Sequence, residues 1–285
     1  MTIDLRDSTD YEVLRAAKVL ARVAAAARDA GIDYLVVGAT ARTIVSIGLL
    51  GAPPERRTRD VDIAAEVDSW EDFENLALKL DERNGVHKFI VGGIEVDVLP
   101  YGGIEEEDRT ILWPDDHRMN VLGLREAVDS AEVALLPDGV SVTVPSIPAL
   151  ALLKLLAWQD RHLVDTRDAI DLATMIGWYS SERYLDQLYT EEMDVLESFD
   201  YEPQSAGAWL LGSRMSDLLD DETIAVLRRI VDDQDLLGRL ARDMGTARAA
   251  TLVRAMSTGV RDAADGRGRP DSAVEVRPAG SATRT

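Results

Sequence analysis

Cysteine is absent from this 285-residue chain, which rules out a disulfide framework and any thiolate metal site. Histidine is scarce: His87, His117 and His162 stand far apart, and no zinc-ligand spacing can be drawn from them. Lysine is confined to Lys18, Lys79, Lys88 and Lys154, and the formal net charge is −21. So acidic a body repels nucleic acid at long range, because such binding is driven by Lys and Arg neutralising phosphates. Any RNA or DNA contact would need a local basic patch or a bound metal. Long apolar runs are missing too. The richest, Ile147–Trp158, is interrupted by Lys154 and too short to span a bilayer. The first residues are polar and acidic, without the basic and apolar regions of a secretory signal. The expectation is a soluble, cytoplasmic protein with no membrane partner. Hydrophobic residues make up 46% of the chain, enough for one or two domains with real cores.

Periodicity predicts the order of elements. Thr9-x-x-Glu12 has capping-box form and opens a helix to Asp29, with Gly31 beyond its end. Its apolar positions Val13, Leu14, Ala17, Leu20, Ala21 and Ala24 keep helical spacing. Tyr34–Val37 reads as a strand, Ala39–Leu49 as a helix and the Gly51–Arg57 stretch as a loop. A strand over Asp60–Ala65 leads to a helix capped by Ser69 and reaching Arg83. His87–Val91 and Ile94–Leu99 flank Gly92-Gly93, which is a hairpin signal. Pro100–Asn120 reads as an ordered, irregular loop, and strands follow near Ala131–Leu136 and Val140–Val144. From Ser146 the pattern turns helical, with Ile147–Gln159, Thr166–Gly177 and further amphipathic segments to about Thr258. The tail from Asp262 is neutral overall, rich in Gly and Pro and without apolar period, as disordered segments are.

Within this pattern the chemistry concentrates between Gly38 and Asp97. Side chains at i and i+2 of a strand share a face, so Asp60 and Asp62 project together while Val61 and Ile63 point the other way. Two carboxylates so close are costly unless a cation sits between them, and hard divalent cations take oxygen ligands. Asp97 lies on a strand with the same alternation and is the candidate for a third ligand. A two-metal site clamps attacking and leaving oxygens in just such an oxygen-rich cage. Gly38 ends an apolar strand where a helix begins, so backbone N–H groups there can approach a phosphate. Thr40 offers a hydroxyl, and Arg42 or Arg59 a cation. Each piece has an ordinary reading as well. Asp-x-Asp occurs on solvated sheet faces, Asp97 can be a solvated strand acid, and Gly38 can be a plain strand-to-helix turn. The order of the pieces is what points to magnesium-dependent phosphoryl or nucleotidyl transfer.

Val37-Gly-Ala-Thr-Ala-Arg42, Thr58-Arg-Asp-Val-Asp-Ile63 and Ile94-Glu-Val-Asp-Val-Leu-Pro-Tyr-Gly-Gly-Ile104 together resemble the nucleotidyltransferase superfamily typified by DNA polymerase β. With Trp113-Pro, Met119-Asn-Val-Leu-Gly123, Leu153-Lys-Leu-Leu-Ala-Trp-Gln-Asp-Arg161 and Arg167-Asp-Ala-Ile-Asp-Leu172, the chain is similar to the AbiEii/AbiGii-type nucleotidyltransferase toxins over roughly Tyr34–Tyr179. The pattern divides the chain into an α+β domain over 1–145, an α-helical C-terminal domain over 146–260 and a disordered tail over 261–285, and the resemblance implies a polymerase β-like fold with a mixed sheet for the first. It implies Mg²⁺ or Mn²⁺ held by Asp60, Asp62 and Asp97. It also implies an NTP contacted at Gly38, Ala39, Thr40, Arg42 and Arg59, with Lys154, Asp168 and Asp171 completing the site. Two departures stand out. The turn is Gly38-Ala39 where the superfamily has Gly-Gly or Gly-Ser, and Ile44–Arg57 lengthens the gap to Asp-x-Asp.

Lys154 lies in an otherwise apolar helix, seven residues from Arg161 on a similar face. Asp168 and Asp171 share one face of the next helix. The resemblance makes Lys154 a phosphate ligand; an interhelical salt bridge to Asp168 or Asp171 is the structural alternative, and the two are compatible. Trp158 reads as core rather than as a platform for a base. The expected function is transfer of NMP to an acceptor hydroxyl, RNA or tRNA included, by a toxin with a cognate antitoxin or a phage-defence partner. A small-molecule nucleotidyltransferase of the antibiotic-modifying kind and a non-catalytic nucleotide- or partner-binding module are the rival readings.

Overall fold

A computed structural model describes residues 2–53 and 58–266. In chain order the N-terminal half runs β1 (Thr2–Asp4), α1 (Tyr11–Ala30), β2 (Tyr34–Val37), α2 (Gly38–Leu50), β3 (Asp60–Val67) and α3 (Trp70–Ala77). It continues with β4 (Glu82–Arg83), β5 (Lys88–Val91), β6 (Ile94–Gly102), β7 (Thr110–Leu112), β8 (Arg118–Asn120), α4 (Leu124–Asp129), β9 (Glu132–Leu135) and β10 (Ser141–Val144). Helices fill the remainder: α5 (Ile147–Arg161), α6 (Arg167–Trp178), α7 (Glu182–Thr190), α8 (Met193–Ser198), α9 (Pro203–Ser216), α10 (Asp221–Asp232), α11 (Gln234–Met244) and α12 (Ala249–Ala264). An α+β half followed by a helical half is the architecture expected from periodicity. No described helix is long and apolar enough to cross a membrane.

The central sheet is mixed, with order β2-β3-β6-β5-β4. β3 runs parallel to β6 and antiparallel to β2, and β5 pairs antiparallel with β6 on one side and β4 on the other. Val61, Ile63, Val96, Val98 and Phe89 are buried on its inner face, which α1 and α3 cover. There the rings of Phe73 and Phe89 meet edge to face with centroids 6.4 Å apart. Each buried aliphatic side chain of this face contributes about 1.5–3 kcal/mol, which fixes the strand register. Asp60 and Asp62 are thereby forced to the other face. A second sheet, β1-β9-β10, adjoins β2 through a hydrogen bond from the Thr143 hydroxyl to the Tyr34 carbonyl oxygen.

Several boundaries differ from the sequence expectation, each for a local reason. The cap of α1 is Asp10 rather than Thr9, its carboxylate accepting from the N–H groups of Glu12 and Val13. α3 stops at Ala77 because Glu82 and Arg83 are captured as an edge strand against Phe89 and Ile90. There the Arg83 guanidinium lies over the Phe89 ring and bonds Glu74. Pro100–Asn120 is not irregular throughout, since β7 and β8 form a hairpin within it. The Trp113 ring that follows β7 packs on Trp70 and Phe73. β1 and α4 were not expected; Ile3 of β1 is buried where the strand pairs parallel with β9. Asp262 to Ala264, expected in the tail, are helical instead. α12 continues through Ala264, and Asp262 accepts a hydrogen bond from the Trp209 indole at 3.0 Å. The rest of that segment, 267–285, and loop positions 54–57 lie outside the described residues.

Candidate active site

Register across the parallel pair β3–β6 sets Asp62 directly beside Asp97, with Asp60 beside Glu95. Asp60, Asp62 and Asp97 each offer an oxygen, all within 4.8 Å of one another. The arrangement follows from two local alternations brought side by side by the β3–α3–β4–β5–β6 connection. Burial pushes the Asp62 carboxyl up to about 6, and the charges of Asp60 and Asp97 push in the same direction, against the pull of Lys154 and a hydrogen bond from the Ala39 N–H. A carboxyl so disfavoured as an anion next to two others is the electrostatic condition that a hard divalent cation relieves. The three residues fit such an ion in donor type and spacing.

Gly38 has φ +64°, and a Cβ built on it overlaps the Asp62 carboxylate. The turn is thus shaped around Asp62: glycine lets the carboxylate sit against the start of α2, and the next N–H, that of Ala39, donates to it. Two of the expected phosphate contacts are otherwise engaged. The Thr40 hydroxyl, buried, donates to the Asp60 carbonyl oxygen at 3.3 Å, and buried Arg42 is paired with Asp171. Arg59, which precedes Asp60 in the chain, is exposed. Its carbonyl oxygen and that of Thr58 accept from Arg15, while the Thr58 hydroxyl donates to Asp60.

The α5–α6 pair carries the second constellation. Lys154 Nζ lies 2.9 Å from Asp168 and 2.8 Å from Asp171. Arg161 reaches Asp168 at 2.6 Å. Asp168 and Asp171 are buried. Burial alone would raise the Asp168 pKa, but Arg161 and Lys154 outweigh it and hold the carboxyl below its usual range. The interhelical bridge foreseen for Lys154 is present, and cations outnumber acids there: Lys154, Arg42 and Arg161 face the two carboxylates of Asp168 and Asp171. Trp158 is fully buried, its indole N–H donating to Asp243 at 2.9 Å.

Lys88 is the residue the sequence reading passed over. Its ammonium lies 2.8 and 2.9 Å from the two oxygens of Asp97 and 2.9 Å from Glu95. Burial works against the charge, but Asp97 and Glu95 outweigh it and hold the lysine well above its ordinary pKa. Asp97 is therefore a paired carboxylate, not an isolated one. The signal was in the chain. A two-residue turn at Gly92-Gly93 fixes the register so that Lys88 falls opposite Asp97.

No protein-family model matches the chain, and no curated protein sequence does. Among solved structures, the antibiotic-resistance factor ANT(2'')-Ia aligns at 15% identity over 66% of this chain and 98% of its own, with a TM-score of 0.38. The CCA-adding enzyme of Thermotoga maritima, solved with tRNA, aligns at 13% identity over 86% and 70%, with a TM-score of 0.23. A CCA-adding enzyme in complex with CTP aligns at 14% identity over 90% and 72%, with a TM-score of 0.22.

Proposed function

We propose that the protein is a divalent-metal-dependent nucleotidyltransferase that moves NMP from an NTP to an acceptor hydroxyl with release of pyrophosphate. One observation carries the reading: Asp60, Asp62 and Asp97 converge to within 4.8 Å beside a glycine turn shaped around Asp62. Asp60, Asp62 and Asp97 would hold Mg²⁺ or Mn²⁺, and Asp97 would also orient the acceptor oxygen. A divalent ion there supplies Lewis-acid neutralisation of phosphoryl charge. Lys154 lies close enough to Asp62 to lower its pKa and would neutralise the triphosphate. Asp168 and Asp171 would aim the ammonium, Arg59 would add an exposed cation at the rim, and Gly38 and Ala39 would set Asp62. On this reading 1–145 supplies the carboxylates and 146–260 the lysine.

For the acceptor we propose RNA, tRNA included, with the protein acting in the cytoplasm as the toxin of a bacterial toxin–antitoxin or phage-defence pair. This rests on the motif resemblance; Arg59 is the exposed cation next to Asp60 in the chain, while the exposed Arg161 and Arg167 are ion-paired with Asp168 and Asp165. The net charge of −21 favours the second reading, a small-molecule acceptor. Incubation with each labelled NTP, Mg²⁺ and total cellular RNA tests the proposal. Label on RNA that vanishes in Asp62→Asn is expected; label on a small molecule alone would favour the second reading, and no transfer to either would refute both.

A further inference from the structure

Lys88 touches the carboxylate triad from outside it. It stands on β5 directly opposite Asp97 on β6, while Glu95 shares the face of Asp97 two residues earlier. One ammonium is therefore held by two carboxylates, at 2.8–2.9 Å from Asp97 and 2.9 Å from Glu95. Asp97 is the more enclosed partner, its side chain 17% exposed against 36% for Glu95. By lying across both oxygens of Asp97, the ammonium occupies the bidentate face of the one triad member contributed by β6.

We infer that Lys88 is the resident cation of the triad, which a divalent ion displaces from Asp97 and which then remains anchored on Glu95. The inference rests on the proposed reading of the triad as a divalent-cation site. A cation entering among Asp60, Asp62 and Asp97 brings like charge towards the ammonium while competing for the same oxygens. Lysine is suited to yield, since its ammonium is a point charge on a flexible stem and not a planar fork. Glu95 makes the exchange possible: it gives the displaced ammonium a partner without moving the β5 backbone. Lys88 is thus a positioning residue. It keeps Asp97 charge-paired and oriented when the site holds no metal, and it sets how strongly the site takes one.

Mn²⁺ binding measured by electron paramagnetic resonance and by calorimetry, without nucleotide, tests this on the full chain. Lys88→Met removes the competitor and should tighten Mn²⁺ binding by about tenfold or more, the scale on which a neighbouring charge shifts a carboxylate. Glu95→Gln removes the alternative anchor, leaves the ammonium on Asp97 and should weaken binding several-fold. Circular dichroism checks that both variants fold, and the opposite signs separate the exchange from general damage, which would weaken both. A Lys88→Met affinity at or below that of the parent, or a Glu95→Gln affinity at or above it, overturns the inference. A parent protein that binds no Mn²⁺ at millimolar concentration instead overturns the metal-site reading, and the inference with it.

Discussion

Lys154→Ala separates two roles that the α5–α6 ion network combines. The ammonium lies 2.9 Å from Asp168 and 2.8 Å from Asp171. Removing one member of a buried pair costs about 3–5 kcal/mol when it strands the other charge. Here neither carboxylate is stranded, because Asp168 keeps Arg161 at 2.6 Å and Asp171 keeps Arg42. The loss is two charge-assisted hydrogen bonds, offset by the desolvation the ammonium no longer bears, for a net cost of about 1–2 kcal/mol. Arg42→Ala should behave differently. Its side chain is 4% exposed, so its removal opens a cavity between α2 and α6. It also leaves Lys154 shared between two aspartates, for a cost of about 3–5 kcal/mol. Equilibrium urea unfolding of both variants beside the parent gives the ranking. Titration with Mn²⁺–NTP gives the second axis, where Lys154→Ala should lose about tenfold or more in affinity. A Lys154→Ala protein destabilised as much as Arg42→Ala, yet binding nucleotide like the parent, would refute the reasoning.

Asp62→Asn should raise stability at neutral pH while abolishing transfer. With a folded pKa of about 6 against 3.8, the native state binds the proton more tightly than the unfolded chain, so stability is greatest below 3.8 and declines as pH rises to about 6. The deficit above that is at most about 3 kcal/mol, so urea unfolding should show Asp62→Asn gaining on the parent at pH 7.5 and not at pH 4; a loss at pH 7.5 would make Asp62 structural. Gly38→Ala places a Cβ on the Asp62 carboxylate at positive φ, and should cost about 1–2 kcal/mol while erasing any stabilisation by Mn²⁺ in a thermal melt. A melt shifted by Mn²⁺ as in the parent would show that Asp62 has room to move. Gly212 and Gly259 let α9 and α12 touch backbone to backbone, since a Cβ on either overlaps a carbonyl oxygen of Met256 or Trp209. Gly212→Val should therefore destabilise by about 3 kcal/mol or more, read by urea unfolding, and a near-native midpoint would mean the helices can part cheaply.

Period and local chemistry decided much of this protein. Alternation alone put Asp60 and Asp62 on one face and Val61 and Ile63 on the other. Gly38 and Gly92-Gly93 marked turns found where expected, and Ser69 and Ser146 cap the helices that follow them. These features are legible because each depends on a few neighbouring residues and a fixed geometric repeat. The end of α3 was not, because Glu82 and Arg83 continue a helical pattern until β5 offers them a strand partner. Nor was the true company of most charges, the bridge from Lys154 to Asp168 and Asp171 being the exception. Arg42 reads as an open cation near a phosphate turn, yet its partner Asp171 lies 129 residues away. Asp97 reads as an unpaired acid until Lys88 is folded across the hairpin onto it. Which carboxylates meet, and which cations they meet, depends on how the sheet orders its strands and how α5 and α6 return to it. The sequence by itself determined the faces and turns that carry the charged groups, including the hairpin register that sets Lys88 opposite Asp97; only the tertiary structure decided the long-range partners such as Arg42 and Asp171, since their pairing acts across space between segments that no local window contains.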